Sequence, residues 1–94
     1  MPLKELLLKS SSFNAVLDRF NVKPGDFTIK DEPLLLERIK SKAEDSLRES
    51  VLIEAINASG RINLLGTIYC NLSKGLAVFE LDVAEPAEKG AAFV

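Results

Sequence analysis

Cys70 is the only thiol in the chain, and there is no histidine to activate it. Serine–histidine and cysteine–histidine nucleophiles therefore have no base to draw on. A single cysteine permits neither an internal disulfide nor a thiolate zinc cluster. Cys70 also falls on an alternating apolar face, where a thiol serves as a small buried hydrophobe. Carboxylates are what remain for acid–base work. Glu80 and Asp82 share one side of a predicted strand, and Glu54 falls on the same side two strands away. A metal or acid–base centre there needs a third converging ligand, and the spacing supplies none. Charges so placed guard a sheet against indiscriminate pairing. Gly25, Gly60, Gly66, Gly75 and Gly90 are scattered, and none opens a helix after a strand, so no phosphate loop is present. These residues describe a non-enzymatic protein with no cofactor and no metal.

The elements that position those side chains follow from periodicity. With 94 residues the chain is read as one domain spanning 1–85, followed by a flexible tail over 86–94. An apolar content of 47% suits a globular core. Leu3 to Lys9 reads as one or two helical turns, and Ser11 or Ser12 as the N-cap of the next helix. Phe13, Val16, Leu17 and Phe20 form an i, i+3, i+4, i+7 stripe. Lys23 to Asp26, "KPGD", is a turn, and Phe27 to Ile29 a short extended segment. Asp31 is the N-cap of an amphipathic helix over about 32–49, with Glu32 and Pro33 in its first turn and Leu35, Ile39, Ala43 and Leu47 at i+4 spacing.

Beyond residue 49 the period changes to two. Ile62, Leu64, Gly66, Ile68, Cys70 and Leu72 alternate with more polar neighbours. A turn within Asn57–Gly60 pairs Ala55 with Ile62, Ile53 with Leu64 and Val51 with Gly66. A turn centred on Lys74–Gly75 pairs Leu72 with Ala77, Cys70 with Phe79, Ile68 with Leu81 and Gly66 with Val83. Both registers place one apolar face together, whereas a one-residue slip would mix the faces. The expectation is an α+β, two-layer domain: N-terminal helices and the 32–49 helix on a three-stranded antiparallel meander over about 50–57, 61–72 and 76–84. The rival arrangement is a helix continuing to about 57 before a two-stranded hairpin. Gly66, in mid-strand, implies a bulge or a tight approach.

Charge narrows the partners. Residues 1–48 carry nine basic and eight acidic side chains, and residues 49–94 carry three and six. Neither half has the basic patch of a nucleic-acid binder. The N-terminal apolar run of three leucines, flanked by Lys4, Glu5 and Lys9, is too short and too charged for a signal peptide or a membrane span. A cytoplasmic location is expected, and the N-x-S/T triplets at Asn57 and Asn71 are then chance.

"AVLDRFNVKPGDFTI", Ala15 to Ile29, resembles the first helix and turn of a helix-turn-helix. That resemblance implies a small nucleic-acid-binding regulator as the alternative function. The segment that follows, Asp26 to Pro33, is acidic and carries proline where a recognition helix would present Arg, Lys, Asn or Gln.

The outer sheet face is left over. Leu52, Ile56, Leu65, Tyr69, Leu76 and Val78 accompany its polar residues, and six sizeable apolar side chains clustered there mark an interface. The sequence therefore reads as a protein–protein interaction module of adaptor, assembly-factor or inhibitor type. It is expected to homodimerise through this face or an edge strand. A second protein is the other possible partner, with neither nucleic acid nor membrane expected.

Overall fold

Ser10 opens the second helix. Its backbone is extended, at φ −82° and ψ 121°, and its hydroxyl accepts the Phe13 N–H at 3.3 Å. The N-cap is thus one residue earlier than expected, which frees Ser12 for another task described below. The computed structural model describes residues 3–41 and 46–86. Helix α1 spans Leu3–Leu8 and α2 spans Ser11–Arg19. The Asn14 amide ties them together by donating to the carbonyls of Leu8 at 2.7 Å and Ser10 at 2.9 Å. After α2 the chain reverses through Asn21, at φ 57°. Asp26 N–H then closes the expected turn onto Lys23 O at 2.9 Å.

The extended segment is a strand, β1, at Phe27–Ile29, antiparallel to β2. The sheet therefore has four strands in the order β1-β2-β3-β4, one more than the expected meander. Strand β2 spans Leu47–Asn57, β3 Gly60–Asn71 and β4 Leu76–Pro86. The 32–49 helix is corrected as well. Helix α3 covers Glu32–Ser41, residues 42–45 lie outside the described residues, and Leu47 already belongs to β2. The rival helix to residue 57 is likewise absent, since 47–57 is strand throughout. Leu47 satisfies both periods. The strand period was hidden by Glu49, a carboxylate on an otherwise apolar face. Glu49 is buried, and Arg38 of α3 reaches it at 3.1 Å, so the charge on that face is paired.

Ala55 pairs with Ile62, Ile53 with Leu64 and Val51 with Gly66, as the Asn57–Gly60 turn predicts. The β3–β4 register is displaced by two residues from expectation: Cys70 faces Ala77, Ile68 faces Phe79 and Gly66 faces Leu81. A shift of two preserves the face of every side chain. A bulge then intervenes. Leu65 faces Val83, so Asp82 is the extra residue on β4, and beyond it the parity of the strand reverses. Val83 leaves the expected core face and Ala84 replaces it, opposite Leu64.

All three helices contribute to one core with the inner sheet face, including Leu6, Leu7, Phe13, Leu17, Leu35, Ile39, Ile53, Leu64, Ile68 and Phe79. Phe13 sits at its centre, edge-on to Phe27 at 5.0 Å and to Phe79 at 5.2 Å. Three rings thus connect β1, α2 and β4 in offset geometry. Strand β4 includes Pro86, the first residue of the expected tail over 86–94, and residues 87–94 lie outside the described residues. No helix among the described residues is long and apolar enough to cross a membrane.

Candidate interaction surface

The outer face is built by the side chains the core does not take. Across β2, β3 and β4 the register arranges them in rows about 7 Å apart, two residues of strand rise each. Arg48, Tyr69 and Val78 form one row, with Leu76 beyond it opposite Asn71. Ser50, Thr67 and Glu80 form the next. Leu52, Leu65 and Val83 form a third, and Glu54, Asn63 and Glu85 a fourth. Ile56 and Arg61 end the face. Two apolar rows therefore alternate with two polar ones.

All six expected interface residues lie on this face. Ile56, Leu65, Tyr69, Leu76 and Val78 are exposed, and Leu52 is half-buried. Val83 joins them at 49% exposure. Sequence periodicity had assigned it to the core, because alternation counts straight through a bulge. The bulge matters here: without it Asp82 would occupy the position beside Leu65 that Val83 fills. The Asp82 carboxylate instead accepts the Thr67 hydroxyl at 3.3 Å. Leu34, exposed on α3, borders the same groove as Leu52 and Leu65, so the third row continues off the sheet onto a helix. Sequence reasoning missed Leu34, since one leucine beside a helix stripe carries no signal. Arg48 lies across the Tyr69 ring, 5.9 Å from its centroid, which holds the cation on the face.

The sheet edges are partly occupied. β1 covers Ile53–Ala55 of β2, and flanking bonds from Lys30 N–H to Leu52 O and from Ile56 N–H to Asp26 O extend that cover. On β4 the Phe79 N–H donates to Ser12 Oγ at 2.9 Å, so α2 caps that edge near the start of the strand.

The three carboxylates do not converge. Glu80 stands in the Thr67 row and Asp82 accepts the Thr67 hydroxyl, but Glu54 lies two rows away, beside Asn63. No group of three His, Cys, Asp or Glu side chains suited to a metal occurs among the described residues. Cys70 is buried on the core face, and burial, followed by the nearby Glu49 carboxylate, pushes its thiol above the ordinary range. Where the helix-turn-helix resemblance would place a second helix, the chain forms β1. Asn57 and Asn71 both work in turns: their side-chain oxygens accept the N–H groups of Ser59 at 2.8 Å and Lys74 at 3.0 Å. The Asn57 amide also donates to Phe20 O at 2.6 Å, tying the turn to the end of α2.

Searches of protein-family models, curated proteins and solved structures return no match to this chain.

Proposed function

We propose that the protein is a non-enzymatic interaction module whose outer sheet face is its contact surface, and that it self-associates as a homodimer. The observation that carries this reading is the pair of apolar rows, Tyr69–Val78 and Leu52–Leu65–Val83, on the sheet face opposite the core, all exposed but the half-buried Leu52. An aromatic near the centre and charged residues around it are the usual anatomy of a contact patch. Contact through the face is favoured over contact through an edge, because the edge strand β1 is only three residues long and Ser12 occupies part of the other edge strand, β4. The helix-turn-helix alternative gains no support from a strand at 27–29.

Sedimentation equilibrium across a concentration range tests the reading. The wild type is expected to dimerise, and Tyr69→Lys or Val78→Glu to dissociate it with the circular dichroism spectrum retained. A wild type that stays monomeric at high micromolar concentration refutes self-association.

A further inference from the structure

Resting on that reading, we infer that the second copy packs face to face about a two-fold axis running parallel to β3, above Leu65 and Tyr69. The row pattern, the charges and the size of the face carry this geometry.

Size comes first. From Leu76 to Ile56 the face spans five row intervals, about 34 Å, and three strands with their side chains span about 15 Å. The footprint is therefore about 500 Å². Specific interfaces start near 600 Å² of accessible surface per partner. One apolar row is too small a patch, so a stable dimer needs most of the face, and its polar rows must be matched as well.

A two-fold contact between two such faces has two regular solutions. An axis running across the strands lays β4 on β4 and reverses the order of the rows. Centred on the Thr67 row, it sets Glu80 against its own copy; centred on the Leu65 row, it sets Glu80 against Glu85. At both centrings Arg48 meets an aliphatic side chain of the second copy, Leu52 or Ile56. Centred midway between those two rows, the same axis sets Arg48 over Glu54 but lays each apolar row on a polar one, with Glu80 over Val83 and Val78 over Glu85. An axis parallel to β3 keeps each row on itself and lays β2 over the second copy's β4. Leu52 then meets Val83 of the second copy, Leu65 meets Leu65, and Tyr69 meets Tyr69. Ser50 lies over the second copy's Glu80, and Arg48, one row along, lies within side-chain reach of that same carboxylate. Symmetry repeats the Arg48–Glu80 contact on the other side. The acid-on-acid pairing in this geometry, Glu54 with the second copy's Glu85, falls near the end of the face, where both are exposed and Arg61 stands in the adjacent row. Aligned sheets pack in this manner, with their strands about 30° apart.

Within one chain Arg48 and Glu80 stand on strands separated by β3, so exchanging their charges probes the contact between copies. Arg48→Glu and Glu80→Arg are each expected to weaken association at least about tenfold, and the double variant to restore it. Cross-linking tests the axis separately. Asn63→Cys and Asn71→Cys, each in a Cys70→Ala background, are treated with a short bis-maleimide. An axis along β3 brings both positions next to their own copies, so both self-link. An axis across the strands lets at most one do so, because the two are eight residues apart on one strand. A dimer in which only one position links, or in which the double charge exchange fails to restore association, overturns the axis and leaves self-association standing. A monomeric wild type overturns both and assigns the face to a different protein.

Discussion

Replacing Gly66 by alanine isolates one contact in the sheet. An ideal Cβ built on Gly66 meets the Cζ edge of the Phe79 ring and lies 2.5 Å from the Glu80 carbonyl oxygen. The ring could turn aside, but the carbonyl is backbone in the adjacent strand and can yield only if the β3–β4 ladder moves. Overpacking of this kind costs about 1–3 kcal/mol. Displacing the Phe79 ring also disturbs its edge contact with Phe13, worth about 0.5–1.5 kcal/mol. Stiffening the unfolded chain returns about 0.4–1 kcal/mol. The balance is a loss of about 1–3 kcal/mol. For a chain of this size it should lower the melting temperature by roughly 5–20 °C. Gly25→Ala is the control: nothing lies within 4 Å of its Cβ position, so the substitution should leave the melting temperature unchanged or slightly raised. Thermal unfolding followed by circular dichroism reads both. If Gly66→Ala melts within two degrees or so of wild type, the close approach of β4 over Gly66 is wrong, and with it the bulge that follows.

Phe13→Ala should cost about 3–5 kcal/mol, as full truncation of a buried aromatic does, and urea unfolding would measure it. A loss under about 1 kcal/mol would contradict its place between Phe27 and Phe79. Arg38→Ala takes the guanidinium from the buried Glu49 carboxylate, and a loss on the order of 1–3 kcal/mol is expected by the same method. The Cys70 thiol should react slowly with aromatic disulfide reagents at neutral pH in the folded state and rapidly in urea. Its raised pKa also has a sign: the folded state resists thiolate formation, so this contribution is intact below the unfolded thiol value of about 8.5 and is lost as pH rises beyond it. Cys70→Ala should flatten that alkaline decline, and an unaltered pH profile of stability would count against burial of the thiol.

The parts of the fold that sequence revealed and concealed differ in physical kind. The β2–β3 register was legible because Asn57–Gly60 confines the turn and both flanking strands alternate cleanly. The β3–β4 register was legible only in parity. Shifting the turn so that Asn71 faces Leu76 keeps every apolar residue on the same side, and a test based on faces cannot see a displacement of two. The bulge at Asp82 was invisible from β4 itself, although Gly66 opposite it was a pointer. Strand β2 was shortened at its start by Glu49, because a charge on the core face breaks alternation unless its partner on another element is known. The outer face was read as a cluster from Leu52, Ile56, Leu65, Tyr69, Leu76 and Val78. Its division into rows, and the addition of Val83 and Leu34, required the register.

The hydrogen bond from Phe79 N–H to Ser12 spans 67 positions of chain. The Phe13 and Phe79 rings meet over nearly the same separation. During synthesis α1 and α2 emerge first, yet the strand they pack on is the last of the described elements to appear. Neither short helix holds its structure well alone in water. The β2–β3 hairpin, joined by a tight turn, has only local pairing to make and can form before β4 leaves the ribosome. Its apolar inner face then stays uncovered until β4 arrives and the N-terminal helices close over it. The separation of Ser12 and Phe13 from Phe79 sets how long α1 and α2 wait for that strand, and during this wait the unfinished chain is most exposed to its neighbours.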